Sequence, residues 1–99
     1  MFYRQYYVYI LSNQRHTVYY VGVTNDLIKR VWEHKNKLAN GFTKKYNVDQ
    51  LVWFDVTNDV EGAISSEKRI KRWKRSWKEN IIKEKNPLFE DLYTSIVHS

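Results

Sequence analysis

With 99 residues the chain has material for one compact domain and too little for two. It holds no Cys, which excludes a disulfide framework, a thiolate metal site and a cysteine nucleophile. No run approaches the ~20 apolar residues that a membrane span needs, and a formal charge of +6 together with eight Tyr, four Trp and four Phe favours a polyanionic partner, nucleic acid before a membrane surface.

Gln5 to Leu11 is rich in Tyr, Val and Ile and reads as a strand. The stretch has no small-residue cleavage site, so it is a poor signal peptide, and a cytoplasmic location is expected. The polar run 12–16 reads as a turn, and Thr17 to Val23 as a second strand; the short connection implies an antiparallel hairpin. Thr24, Asn25 and Asp26 offer caps for a helix carrying Leu27, Val31, His34 and Leu38 at helical spacing, with Asn40-Gly41 as its stop. Phe42 to Tyr46 suits a short helical turn, and Leu51 to Val56 a third strand. Thr57 or Asp59 can cap the next helical region, where Ala63, Ile64, Glu67, Ile70, Lys74, Trp77 and Ile81 fall near one another on a helical projection. That pattern fits two helices or one bent helix, ending before Asn86-Pro87. Phe89, Leu92 and Tyr93 can fold the tail back on the core. The expected architecture is α+β: a three-stranded antiparallel sheet flanked by helices in the order β-β-α-(α)-β-α-α, as a single domain over residues 1–99 with its core at about 4–93.

Several residues are candidates for chemistry, each with a plainer reading beside it. Tyr9 and Tyr20 can share one face of the hairpin, as catalytic phenols or as cross-strand packing. Arg30 and His34 form an i, i+4 pair: a forked donor matched to phosphate oxygens and a proton carrier near neutral pH, or a solvated basic face together with Lys29 and Lys35. Glu67 shares a stripe with Ala63, Ile64 and Ile70, and a carboxylate on the core side must be paired or bind a cation. Its neighbours Lys68, Arg69 and Lys71 are expected to point elsewhere. Lys68, Lys71, Arg72 and Arg75 fall along one stripe that can track nucleic-acid phosphates, or serve solubility and cover apolar surface with their stems. Of the four tryptophans, Trp53 is expected in the core, while Trp32, Trp73 and Trp77 can pack or stack on bases.

Taken in order, these elements resemble the GIY-YIG nuclease superfamily. Tyr7-Val8-Tyr9 and Tyr20-Val21-Gly22 match its two tripeptides, Arg30 follows ten residues after Tyr20, His34 four later, and Glu67 lies in the run 63–71 at the place of the family's metal-binding Glu. The ending 86–93 (NPLFEDLY) is similar to that of the small stand-alone bacterial members, the UPF0213-like type. The chain departs from the pattern at Tyr7, where the first tripeptide has Gly, at Val21, where the second has Ile, and at Val23, where some repair relatives carry Lys. A late Asn used by some members has Asn80 as its nearest counterpart.

The resemblance implies phosphodiester hydrolysis with one divalent cation, Mg²⁺ or Mn²⁺, held by Glu67. It implies Tyr9 as general base or water-positioning group, Tyr20 on phosphate or water, Arg30 against transition-state charge, and His34 as proton relay. A phenol with a pKa near 10 must be lowered or coupled to act near neutrality, with Arg30 and the metal as expected sources of lowering. The partner it implies is nucleic acid, DNA before RNA, without a membrane and with room for a protein partner that supplies specificity. Two other readings stand beside this one: a non-catalytic nucleic-acid-binding module, since Val18 to Val23 faintly resembles a strand of RNA-recognition domains, and a structural protein that kept the fold.

Overall fold

The computed structural model describes residues 4–39 and 41–98. Strands β1 (Tyr6–Ser12), β2 (Tyr19–Thr24) and β3 (Gln50–Thr57) form an antiparallel sheet in the order β2-β1-β3. The hairpin pairs Tyr9 with Gly22 and Leu11 with Tyr20, while β3 pairs Phe54 with Tyr9 and Trp53 with Ile10, with a register shift between Ile10 and Leu11.

Alternation along β1 separates two cores. Val8 and Ile10 pack with Val21, Trp53, Ala63, Ile70 and Ile82 on one face, beneath helices α3 (Val60–Lys71) and α4 (Arg75–Lys85). Tyr9 and Leu11 pack on the other face with Leu27, Val31, Val48 and Leu51, beneath α1 (Leu27–Lys35). Two shorter helices complete the chain: α2 (Gly41–Tyr46) and α5 (Tyr93–Val97). The element order is the one expected, with α5 added. A sheet covered on both faces explains why all seven residues of β1 are at least half-buried.

One local expectation, the end of the first helix, is corrected, and the open choice after β3 falls to two helices in place of one bent helix. Helix α1 stops at Lys35, before Asn40-Gly41: Lys37 takes a left-handed φ of 60°, its N–H donates to the His34 carbonyl, and the Leu38 N–H donates to the Glu33 carbonyl. This is the Schellman closure with Lys in the place usually held by Gly. Gly41 opens α2 instead, and Asn40 lies outside the described residues. The helical region after β3 breaks between Lys71 and Arg75, so the apolar stripe does not run through: Lys74 precedes α4 as its N-cap and Trp77 is half-exposed.

The tail is tied down by two side chains. Buried Asn86 donates to the carbonyls of Val52 and Glu90 and accepts from the Glu90 N–H. Asp91 accepts from the Leu51 and Tyr93 N–H groups and pairs with Lys35 on α1. Phe89, Leu92, Tyr93 and Ile96 then pack on the two cores, as expected for the first three. Among the described residues no helix is long and apolar enough to cross a membrane.

Candidate active site

The register of the hairpin sets the site. Tyr9 and Tyr20 lie on the same face but diagonally, with ring centroids 6.4 Å apart. Directly opposite Tyr9 stands Gly22, and the Tyr9 ring lies over it: a Cβ there would overlap Cζ and Oη of the phenol. Gly22 is therefore required by close approach, since its φ is not positive.

Helix α1 brings His34 to the same place. Burial of Leu27 and Val31 turns His34, on the same helical stripe, inward until it is 2% exposed. Its Nε2 lies 3.4 Å from the Tyr9 Oη, and its Nδ1 lies 2.9 Å from Oγ1 of Thr43 on α2. The His34 ring is 5.5 Å from that of Tyr20. Burial and the positive charge of Arg30 lower the His34 pKa from its ordinary value, against a smaller opposing effect of Glu33, so the ring is neutral at pH 7.

Tyr9 behaves contrary to expectation. Burial raises its pKa well above that of a free phenol, with Tyr20 and the charges of Glu67 and Glu33 adding to the rise; Arg30 opposes it and does not prevail. The phenol therefore keeps its proton, and a basic role for it requires coupling to His34. Arg30 and Glu67 thus both act electrostatically on the Tyr9 phenol, in opposite directions. Arg30 is exposed, with Nε 3.6 Å from Glu33 Oε1, and lines a recess of about 180 Å³ with Thr24, Asp26 and Lys29.

Glu67 is 8% exposed, held inward by Ala63 and Ile70 on the same face of α3. Its Oε1 is engaged by the ammonium of Lys71, one turn further on. Lys71 therefore does not point elsewhere on the helix: the i, i+4 spacing brings it back to the carboxylate. The hydrogen bond to Glu67 raises the Lys71 pKa against the lowering effect of burial, and the charges of Glu67 and Tyr20 add to the rise. Among the described residues no buried side-chain polar atom lacks a partner.

The donor set suits a hard cation. Among the described residues no cluster of three or more His, Cys, Asp or Glu stands ready for a metal. Mg²⁺ and Mn²⁺ do not require one: they retain waters and accept one carboxylate together with phosphate oxygens. The Lys71 ammonium stands as the positive partner of the Glu67 carboxylate.

The basic stripe is divided. Lys68 and Arg72 line a depression of about 450 Å³ with Arg69 and Trp73, and Lys71 turns to Glu67. Arg75 begins α4 and donates to the Thr17 carbonyl in the hairpin turn. Trp53 is buried as expected, Trp73 packs partly on the core, and Trp32 and Trp77 are half-exposed. Asn80 is exposed on α4. A larger cavity of about 460 Å³, lined by Tyr7, Leu27, Phe54 and Ile96 among others, holds none of Tyr9, Tyr20, Arg30, His34 and Glu67. The sequence reading missed Thr43 and the role of Lys71. The Glu67-to-Lys71 spacing was a legible signal; Thr43, nine residues from His34, offered none.

Comparisons with known proteins show the family. A family profile described as the GIY-YIG catalytic domain matches residues 5–80. A UPF0213 protein of Fusobacterium nucleatum is 30% identical over 87 residues, covering 88% of this chain and 86% of its own. A UPF0213 protein of Syntrophus aciditrophicus is 34% identical over 82 residues, covering 82% and 92%. The solution NMR structure of a UPF0213 protein from Bacillus halodurans superposes with a TM-score of 0.56 at 26% identity, covering 88% of this chain and 92% of that one. With the two tripeptides on adjacent strands and the profile spanning sheet, α1 and α3, the chain belongs to the GIY-YIG family of nuclease domains and is a small, UPF0213-like member of it.

Proposed function

We propose that the chain is a divalent-metal-dependent endonuclease that hydrolyses phosphodiester bonds of nucleic acid, DNA before RNA, at the Tyr9–Tyr20–Arg30–His34–Glu67 site. The observation that carries the reading is the contact of a buried neutral imidazole with a buried phenol, where the charges of Arg30 and Glu67 both act on that phenol.

Neutral His34 accepts the Tyr9 proton at Nε2 as the Tyr9 oxygen takes a proton from the attacking water. The pair thus acts as a base although the phenol alone is too weakly acidic. A hydroxyl proton of Thr43 directed to Nδ1 would favour the wrong tautomer, so in the active state Nδ1–H donates to Thr43 Oγ1. Tyr20 hydrogen-bonds the phosphate, and Arg30, released from its weak pair with Glu33, neutralises charge on the equatorial oxygens. A divalent cation on Glu67, Mg²⁺ or Mn²⁺, would polarise the phosphate and stabilise the leaving oxygen. Lys68, Lys71, Arg72 and Arg75 are the proposed phosphate contacts flanking the site, Lys71 after leaving Glu67.

The test is a panel of single-stranded, duplex, branched and RNA substrates with Mg²⁺ or Mn²⁺, run beside Glu67→Ala. Cleavage is expected with metal and lost in the variant; undiminished cleavage by Glu67→Ala would count against the reading. A second reading, a binding module without turnover, draws on the Lys71–Glu67 pair, which neutralises the carboxylate from within. It requires nucleic-acid binding with no cleavage in any metal.

A further inference from the structure

From Tyr20 an aromatic path leaves the site along α2. The Tyr20 and Phe42 rings are 6.5 Å apart and inclined by 31°, and the Phe42 and Tyr46 rings are 5.0 Å apart. Phe42 is 45% exposed and Tyr46 43%, while Thr43, which bonds His34, is the buried side chain of α2. The Lys45 ammonium lies 5.4 Å from the centre of the Tyr46 ring. Beyond Tyr46 the path opens into a cavity of about 500 Å³ lined by Gln14, Arg15, Asn47 and Gln50. Gln14 and Arg15 are exposed, and Asp49, which also lines the cavity, is paired with Lys37 at 3.8 Å.

We propose that this path holds an unpaired nucleic-acid strand, running from the Tyr20 phenol over Phe42 and Tyr46 and placing a base in the amide-lined cavity. The inference rests on the nuclease reading of the Tyr20 site and assigns its substrate class: a strand end, flap or gap in place of continuous duplex. Exposed rings attract nucleobases by their faces, and only unstacked bases offer those faces; a duplex turns its sugars and phosphates outward. Side-chain amides can both donate to and accept from the edge of an unpaired base. Lys45, whose ammonium lies over one face of the Tyr46 ring, and Arg15, at the cavity, place positive charge along the path where a backbone must pass, which a purely apolar partner would not match. The join to the site is a direct ring contact, so the bound strand enters from the cleavage position without a gap.

The test reads binding in EDTA, where no cleavage occurs, by fluorescence anisotropy of a 12-nucleotide single strand and of a duplex made from it. Phe42→Ala and Tyr46→Ala are each expected to weaken single-strand binding by about 5- to 100-fold, to leave duplex binding within about twofold, and to be rescued by Phe42→Trp at the first position. Equal losses for both ligands, or none for the single strand, overturn the proposal. So does a result in which the substitutions abolish only self-association in sedimentation, since the rings would then be covered by a second copy. Binding is scored without metal, so a chain that never cleaves can still pass, and a nuclease restricted to duplex fails.

Discussion

The Glu67 carboxylate and the Lys71 ammonium form an ion pair across one turn of α3, with the carboxylate buried and the lysine side chain 52% exposed. The pair resolves what would otherwise be an unpaired buried charge, and it sets an ammonium on the carboxylate proposed to hold the divalent cation. The lysine end of the pair is half-exposed and screened by solvent, while the carboxylate end is buried and must keep a positive partner. Replacing the lysine leaves that carboxylate to the cation: Lys71→Met is expected to tighten Mn²⁺ binding by about fivefold or more. A Mn²⁺ titration followed by electron paramagnetic resonance checks this. Weaker binding in the variant would show that Lys71 does not compete for the carboxylate.

Gly22 and Tyr9 impose a second constraint, steric rather than electrostatic. The ring over Gly22 is 2% exposed and touches His34, so it has no room to retreat from a new methyl group. Gly22→Ala should cost about 1–3 kcal/mol of stability, as overpacking does, and should displace the phenol from His34. Urea denaturation measures the first effect and the rate of cleavage the second. A variant as stable and as active as the parent would mean that the ring moves freely.

The neutral state of His34 carries a pH dependence. An unfolded chain protonates this imidazole near 6.5, whereas the folded chain does so only at lower pH. Between those two values the unfolded state binds the extra proton. The contribution to stability is therefore complete above about 6.5 and is lost as pH falls toward the folded pKa. Cleavage should decline over the same acid limb, because a protonated ring cannot accept from Tyr9. His34→Gln should flatten the stability slope between pH 5 and 7 and leave only residual cleavage; an unchanged slope would assign it to another group.

Much of the fold was legible because its determinants are local. Enrichment in Tyr, Val and Ile marked Gln5 to Leu11 and Thr17 to Val23 as strands, and the short turn between them implied a hairpin. The inward course of His34 followed from the helical spacing of Leu27 and Val31. The end of α1 was misplaced because Lys37 does at a left-handed φ what Gly usually does, and no composition signal marks that choice. The break after Lys71 was left open because Arg72 to Lys74 contains neither Gly nor Pro.

For the site, the sequence by itself determined the residue types, their order and the strand or helix that carries each, since spacing along one element decides which face a side chain takes. Only the tertiary structure decided what those residues do to one another. Burial raised the Tyr9 pKa where nearby cations were expected to lower it, Thr43 came from a separate helix to hold His34, and α2 laid Phe42 against Tyr20. The physical reason is that desolvation and contact between distant elements depend on how the layers close, which no single stretch of chain encodes.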